Sequence, residues 1–281
     1  MSTPRMPRIP AVLAVCAGLF LCFASRVWAA PESHATIEMI AAQAATPQSG
    51  RPFSVGLLFR LEPGWHVYWQ NAGDSGQPPT IQWSLPPGFR AGAIAWPTPT
   101  RLGKGSVIDY GYESQVLLIA PINPPASRKS GQTDAVEIAA DVKYLICREI
   151  CVPAKAHATV SLPLSGDAAK QATQWRTLFE QTESQIPKRL PSDWKVVARS
   201  NAGNFVLSVR TAAPTTQASF FPLDQNVIEN SAPQSFAPAK TGFQLTLKKS
   251  DLLAKPITAL RGVLVLDRSP AYEIAAPVIQ Q

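Results

Sequence analysis

Histidine and cysteine are scarce in this sequence, whose 281 residues include three His and four Cys. There is no nucleophile elbow, no cluster of His with Asp and no glycine-rich phosphate loop. We interpret the isolated polar residues Asp74, Ser75 and Asp109 as turn residues. These absences argue against a hydrolase, and no organic cofactor is expected.

The sequence also lacks an apolar run long enough to span a bilayer. The longest one, Ala11–Ala24, has about 14 residues, whereas a transmembrane helix needs about 20. It follows the basic residues Arg5 and Arg8 and precedes the small residues of Val27-Trp28-Ala29-Ala30. This pattern predicts a secretory signal peptide over residues 1–29, cleaved after Ala29. We therefore expect a periplasmic product with no stable membrane insertion.

A strong basic charge is missing as well. The predicted signal peptide contains Arg5, Arg8 and Arg26 and no acidic residue, so 23 of the 26 basic residues remain against 19 acidic ones, a net charge of +4. The sequence has no run of Lys and Arg that could bind a phosphate backbone. Nucleic acid is therefore not expected as a partner.

What the chain does contain is a rhythm of short β-type runs between Pro and Gly residues. This rhythm is typical of an antiparallel sandwich, so we predict an all-β fold. The strands predicted in the first part are Phe53–Leu61, Trp65–Trp69, Thr80–Leu85, Gln115–Pro121, Val136–Ile146 and Ala156–Leu162.

A helical pattern interrupts this rhythm once. From Asp167 to Ile186, apolar residues recur at spacings of three and four, and Pro187 follows. We predict a connecting helix within residues 166–187, between a first β domain at 30–165 and a smaller second one at 188–281. Strands of the second domain are predicted at Lys195–Ala198, Phe205–Arg210, Gln217–Phe221, Phe243–Leu247 and Gly262–Asp267.

Two cysteines remain after the signal peptide, Cys147 and Cys151, in the segment "YLICREICVPAK". We expect the segment Cys147–Lys155 to connect two strands, with Pro153 interrupting the ladder. A disulfide between the two cysteines is feasible if this connection curls through one helical turn. Because its ring is small, the disulfide would stabilise the folded state by only about 2 kcal/mol through its restriction of the unfolded chain.

Three interpretations of this pair remain open. Short or exposed disulfides tend to exchange with other thiols, which indicates a redox pair. A structural staple is the second interpretation. The third is a soft-metal site of Cys147, Cys151 and His157, which could hold Cu(I), although a fourth ligand for a closed zinc site is not evident.

Three ordered blocks resemble a known family. They are "GWHVYWQNAGDSGQPPTIQWSLPPGF", "WPTPTRLGKGSVIDYGYESQVLLIAPI" and "VKYLICREICVPAKAHATVSLPL". They are similar to the periplasmic N-terminal domain of the DsbD family of thiol:disulfide interchange proteins, particularly its ScsB-like branch. The resemblance covers roughly residues 35–165.

This resemblance implies an immunoglobulin-like sandwich with Cys147 and Cys151 as the catalytic pair, Cys151 forming the mixed disulfide with partners. It implies electron transfer from a membrane-embedded DsbD- or CcdA-like donor to periplasmic thioredoxin-like proteins, as part of a protein-disulfide reductase system. Copper tolerance and cytochrome c biogenesis are the associated processes. The family's cap loop corresponds to Gly105–Ser114, which makes Tyr110 and Tyr112 candidates for shielding the pair.

Two features depart from the family pattern. Better-known members space their cysteines more widely than the three intervening residues here. Full-length members also carry a multi-span membrane domain and a thioredoxin domain, neither of which this sequence shows. Either separate proteins supply these parts, or this is a stand-alone module with a diverged function. The alternative is a binding module, either one that holds copper through the same thiols or an immunoglobulin-like scaffold with an inert disulfide.

Overall fold

The structure is a computed structural model that describes residues 33–44, 50–103, 105–126, 135–163, 173–212, 214–267 and 270–280. The predicted signal peptide, residues 1–29, lies outside these ranges. The first part of the chain is built from ten strands within the described residues: β1 (Ala35–Ala41), β2 (Phe53–Leu61), β3 (His66–Gly73), β4 (Thr80–Ser84), β5 (Arg90–Ala91), β6 (Thr100–Leu102), β7 (Asp109–Glu113), β8 (Gln115–Asn123), β9 (Ala135–Cys147) and β10 (Cys151–Pro163).

These strands form two antiparallel sheets. One has the strand order β1-β2-β8-β5, and the other has the order β10-β9-β3-β7-β6, with β4 also paired to β9. Alternate residues of both sheets bury their side chains in one core, which includes Val55, Phe59, Trp69 and Ile138. Burial of such apolar surface is the main favourable term in folding.

The all-β prediction is confirmed, and the predicted strands coincide with β2, β3, β4, β8, β9 and β10 to within a few residues at most ends. The prediction missed β1, β5, β6 and β7. It was wrong about the segment Cys147–Lys155, because β10 already begins at Cys151 and Pro153 pairs with Leu145 within the ladder. β10 is the edge strand of its sheet, where a residue without an N–H is tolerated.

A single helix, α1 (Arg176–Gln185), is present in the part of the chain that the structure describes. Its Phe179 is 2% exposed and packs in a small cluster with Ile40, Leu58 and Leu117 of the first sheet. The predicted helix began at Asp167, and that end lies outside the described residues. The helix ends two residues before Pro187, as a proline stop predicts.

The remaining strands make a third, mixed sheet of eight strands. Its order is β14-β17-β18-β12-β13-β16-β15, and β11 pairs with β18. The missed strands β15 and β18 belong to it. The bounds are β11 (Lys188–Arg189), β12 (Lys195–Ser200), β13 (Asn204–Arg210), β14 (Ala218–Pro222), β15 (Ser235–Ala239), β16 (Gly242–Lys248), β17 (Ala259–Leu266) and β18 (Ala271–Gln280).

The third sheet has its own core and also reaches into the first one. Phe205, Leu245 and Leu264 belong to its own cluster, whereas Phe221 and Val263 join the core of the first two sheets. Ser33–Gln281 accordingly form a single compact unit. The division into domains at 165 and 188, and the immunoglobulin-like detail of the first, stay predictions. No helix in the described ranges is both long and apolar enough to cross a membrane.

Candidate redox site

The two cysteines lie opposite each other at the turn end of the β9–β10 hairpin. Cys147 is the last residue of β9, Cys151 is the first of β10, and the two are register partners with Cα atoms 4.1 Å apart. Their Sγ atoms form a disulfide. The tight connection is closed by a hydrogen bond from the Arg148 N–H to the Ile150 carbonyl. The helical turn predicted for this connection is therefore unnecessary, because the pairing of β9 with β10 already places the two cysteines opposite each other.

The two sulfur-bearing residues differ sharply in exposure. Cys147 is 2% exposed because β9 has neighbours on both sides and begins to pair with β3 at His66. Cys151 is exposed because β10 is an edge strand. Beside it, Ile150 in the connecting turn is 68% exposed. An incoming thiolate can therefore reach Cys151 but not Cys147.

One buried hydroxyl group, that of Tyr68, contacts the disulfide. Tyr68 on β3 is fully buried, and its O–H donates to Sγ of Cys147 over 3.0 Å and lies 3.4 Å from Sγ of Cys151. Tyr68 and Ala72 pack with Cys147 in a small cluster of their own. Burial raises the pKa of Tyr68, and the nearby Asp109 carboxylate adds to this rise against the opposing effect of Ser75. The hydroxyl therefore keeps its proton at neutral pH and remains a donor.

A polar network continues from Tyr68 into the protein. Ser75 Oγ lies 3.5 Å from the Tyr68 hydroxyl, and both the N–H and the hydroxyl of Ser75 donate to Asp109 over 2.9 Å. His66 Nε2 lies 3.7 Å from Asp109 Oδ2, beyond hydrogen-bond range. Burial would raise the pKa of Asp109, but the adjacent His66 ring and the Ser75 hydrogen bonds outweigh it and leave this pKa below its usual value. A carboxylate thus anchors the network.

A glycine holds the Tyr68 ring in place. Gly76 has φ of +71°, and a Cβ there would lie 2.0 Å from Cζ of Tyr68. Only glycine combines this left-handed backbone with so close an approach to the ring. The turn after β3 therefore fits directly against the aromatic residue beneath the disulfide.

Arg148, one of the two charged residues between the cysteines, contacts an aromatic ring. The guanidinium of Arg148 lies 5.1 Å from the centroid of the Trp65 ring, which stacks on its other partner, His34, at 3.8 Å. His34 Nδ1 is in turn 2.8 Å from Glu62. This cation–π contact orients the turn.

The tyrosines proposed as shields have other partners. Tyr110 is fully buried, donates its hydroxyl proton to Asn230 and packs edge-on against Trp69 and Phe221. Tyr112 is 8% exposed and donates to the carbonyl of Pro97. Both belong to the main core, whereas Tyr68 is the aromatic residue that contacts Cys147. That Tyr110 and Tyr112 shield the pair stays an untested prediction.

The third candidate metal ligand, His157, does not lie near the two cysteines. His157 lies on β10 and pairs with Asp141 at 2.8 Å. It is roughly 20 Å along the strand from Cys151, at about 3.3 Å per residue. Within the described ranges, no group of three or more His, Cys, Asp or Glu side chains could hold a metal ion.

Sequence reasoning missed Tyr68 and its network. Asp74 and Ser75 do lie in a turn, but Asp109 is the first residue of β7 and not a turn residue. The alternation of "HVYW" puts His66 and Tyr68 on one face of a strand. This alternation does not show which neighbouring strand the two residues contact, and that contact determines which residues form the site.

The comparison with known families bears on this site directly. The family described as "Thiol:disulfide interchange protein DsbD, N-terminal" matches residues 37–163, which include both cysteines and the Tyr68 network. Residues 37–163 belong to the DsbD N-terminal family. The prediction of a DsbD N-terminal domain is thereby confirmed. No curated protein matches the chain in sequence.

One solved structure is similar to this chain beyond the matched segment. The N-terminal periplasmic domain of ScsB from Proteus mirabilis is 19% identical and superposes with a TM-score of 0.57, covering 88% of this chain and 92% of that one. At this identity the match shows a shared fold. The YadV chaperone, 9% identical and covering 87% of this chain and all of its own, reaches a TM-score of only 0.23, too low to indicate a common fold.

Proposed function

We propose that this protein is a periplasmic thiol:disulfide interchange protein that relays electrons through Cys147 and Cys151. The observation that carries the proposal is the pairing of an exposed Cys151 with a buried Cys147 whose sulfur accepts a hydrogen bond from Tyr68. The membership of residues 37–163 in the DsbD N-terminal family supports it. An inert staple has no need of such an asymmetric, polar environment.

The exchange proceeds in two steps with balanced electrons. A partner thiolate attacks Sγ of Cys151, the Cys147–Cys151 bond breaks, and Cys147 leaves as a thiolate beside the Tyr68 hydroxyl. The second thiolate of the same partner then attacks the partner's own sulfur in the mixed disulfide and releases Cys151. The partner becomes oxidised, and Cys147 and Cys151 together take up two electrons and two protons. Reduction of the next protein runs the same steps in reverse, with Cys151 attacking and Cys147 resolving.

The Tyr68 hydroxyl supports the leaving group in this scheme. A neutral disulfide sulfur is a weak acceptor, whereas a thiolate is a strong one, so the same hydrogen bond strengthens as the bond between the sulfurs breaks. Differential binding of this kind accelerates a step, because it favours the charge that develops during the reaction.

The partners follow from the chemistry of the family. We propose a membrane-embedded DsbD- or CcdA-like protein as the electron donor and periplasmic thioredoxin-like proteins as acceptors. Both present paired thiols or disulfides, which is what an exposed Cys151 next to the apolar Ile150 can accommodate. No organic cofactor takes part in the scheme.

The test is capture of the mixed disulfide. A Cys147→Ser variant retains the accessible attacking thiol but cannot resolve the intermediate, so covalent adducts should accumulate in cell extracts and disappear on reduction. Cys151→Ser and the double variant are the matched controls and should form none. Absence of adducts from Cys147→Ser, together with a reduction potential well below about −300 mV for the intact pair, would contradict the proposal.

A further inference from the structure

One side chain from the C-terminal part of the chain, Asn230, contacts residues beside the Tyr68 network. Asn230 lies in the segment after β14 and is 8% exposed. Its amide oxygen accepts the Tyr110 hydroxyl proton over 2.8 Å, and its amide nitrogen donates to Asp74 Oδ1 over 2.7 Å. Its carbonyl oxygen accepts from the guanidinium of Arg101. Three separate segments of the first domain therefore converge on a residue from the C-terminal part of the chain.

The two side chains that Asn230 holds are sequence neighbours of the redox network. Asp74 precedes Ser75, and Tyr110 follows Asp109. Asp74 is also linked to Ile108, because its Oδ2 accepts the Ile108 N–H over 2.7 Å and its own N–H donates to the Ile108 carbonyl over 3.0 Å. Asn230 thus closes a clamp between the turn that carries Ser75 and the strand that carries Asp109.

The Ser75 hydroxyl, next to Asp74 in the chain, is an alternative hydrogen-bond partner for Tyr68. While Ser75 donates to Asp109, its hydroxyl stays 3.5 Å from Tyr68, and the nearer Sγ of Cys147 receives the Tyr68 proton over 3.0 Å. A Ser75 released from Asp109 could approach and take that proton. The hydrogen bond to Cys147 would then weaken, and with it the stabilisation of the reduced pair, because the Cys147 sulfur accepts this bond most strongly when it is a thiolate.

The surrounding interface keeps the clamp in register. Asn71 on β3 is 2% exposed and donates to the carbonyls of Pro222 and Asp224, at 2.8 and 3.3 Å. Phe221 packs edge-on against Trp69, one residue from Tyr68. The strand that carries Tyr68 is therefore attached to the C-terminal part of the chain at Trp69 and Asn71, directly after Tyr68.

We propose that the C-terminal β part tunes the redox pair and that Asn230 is the positioning residue through which it acts. This inference rests on the proposed thiol:disulfide interchange at Cys147 and Cys151. On this proposal, the second half of the chain influences the redox equilibrium of Cys147 and Cys151, and it acts through Asp74 and Ser75.

The experiment compares variants in the equilibrium with glutathione, in which the protein disulfide and two reduced glutathione molecules give the protein dithiol and one glutathione disulfide. Asn230→Asp keeps the acceptor for Tyr110 but cannot donate to Asp74, and it faces that carboxylate with a second one. We expect the equilibrium constant for reduction of the pair to fall about two- to tenfold, the equivalent of one hydrogen bond. Asn230→Ala should shift it in the same direction.

Two control variants separate tuning from loss of stability. Phe221→Leu weakens the packing against Trp69 and Tyr110 but removes no hydrogen bond of the clamp. Asn201→Ala removes an exposed side chain that bonds only within its own turn, to the N–H groups of Gly203 and Asn204. Both should leave the equilibrium constant unchanged, whatever their melting temperatures. An unchanged constant in Asn230→Asp and Asn230→Ala overturns the inference alone, whereas a wild-type pair that glutathione cannot reduce at all overturns the proposed function.

Discussion

The hydroxyl of Tyr68 donates a hydrogen bond to Sγ of Cys147 over 3.0 Å, from a position 79 residues earlier in the chain. This contact is buried. The same hydroxyl oxygen lies 3.4 Å from Sγ of Cys151 and 3.5 Å from Oγ of Ser75. It places a permanent donor beside the sulfur that becomes a thiolate when Cys151 is attacked. The redox pair therefore has an electrostatic partner that no neighbouring residue in the sequence supplies.

Removing that donor should make the disulfide harder to reduce. A Tyr68→Phe variant keeps the ring but loses the proton that stabilises a Cys147 thiolate. Because hydrogen bonds to charged groups contribute about 1.5–3 kcal/mol, we expect the equilibrium constant for reduction by glutathione to fall at least about tenfold and the pKa of the Cys147 thiol to rise.

Tyr144→Phe is the matched control for this change. Tyr144 is also buried, lies on β9 and has its hydroxyl 3.2 Å from Ser33 Oγ. It should lose a little stability without altering the glutathione equilibrium. Equal equilibrium constants for Tyr68→Phe and the wild type would show that the hydroxyl does not favour the reduced state.

Displacing the Tyr68 ring should act in the same direction. In Gly76→Ala, the new Cβ would lie 2.0 Å from Cζ of Tyr68, so the ring must move away from Cys147. We expect a lower equilibrium constant for reduction and a loss of unfolding free energy greater than the roughly 1–2 kcal/mol that a left-handed backbone alone costs a non-glycine residue. Denaturant titration and glutathione equilibration measure the two effects.

Gly105→Ala isolates the backbone contribution. Gly105 has φ of +75°, nearly that of Gly76, but a Cβ there would meet no atom within 4 Å. It should lose stability by the backbone term and keep the redox equilibrium of the wild type. If both glycine variants show the same equilibrium constant, steric support of Tyr68 by the turn is ruled out.

The Asp109 carboxylate should stabilise the fold in a pH-dependent way. Its pKa is lowered in the folded state, so its contribution is fully present above the unfolded value near about 4 and is lost as the pH falls through the lower folded value. We expect Asp109→Asn to reduce the free energy of unfolding by about 1–3 kcal/mol at pH 7. The gap between variant and wild type should narrow below about pH 4.

Asp141→Asn provides the comparison for Asp109. Asp141 pairs with His157 on the surface, where both side chains are more than half exposed. Such pairs contribute about 0–1 kcal/mol, so this variant should differ little from the wild type at either pH. A gap between Asp109→Asn and the wild type that stays constant from pH 7 to pH 3 would be evidence against the carboxylate as its source.

Much of the fold and part of the site could be predicted from local patterns. Period-two alternation between turn residues located β2, β4 and β8, and the spacing of three and four located α1. The short edge strand β15 and the β18 strand with its Pro277 were missed because their patterns are irregular. Asp109 was misinterpreted as a turn residue because an isolated aspartate carries no sign of its long-range partners.

The amino-acid sequence by itself determined the chemistry of the pair and the domain family that carries it. Only two cysteines follow the predicted signal peptide, four positions apart, and the blocks around them identify a DsbD N-terminal domain. These are properties of residue type and spacing along the chain.

Tertiary structure alone decided which cysteine is accessible and what surrounds the buried one. Cys151 is exposed because β10 is an edge strand, and Cys147 meets Tyr68 because β3 pairs beside β9. Asn230 reaches Tyr110 across 120 residues of sequence. Alternation along a strand tells which residues share a face, but the partner of that face depends on strand order, which is set by burial of the whole core.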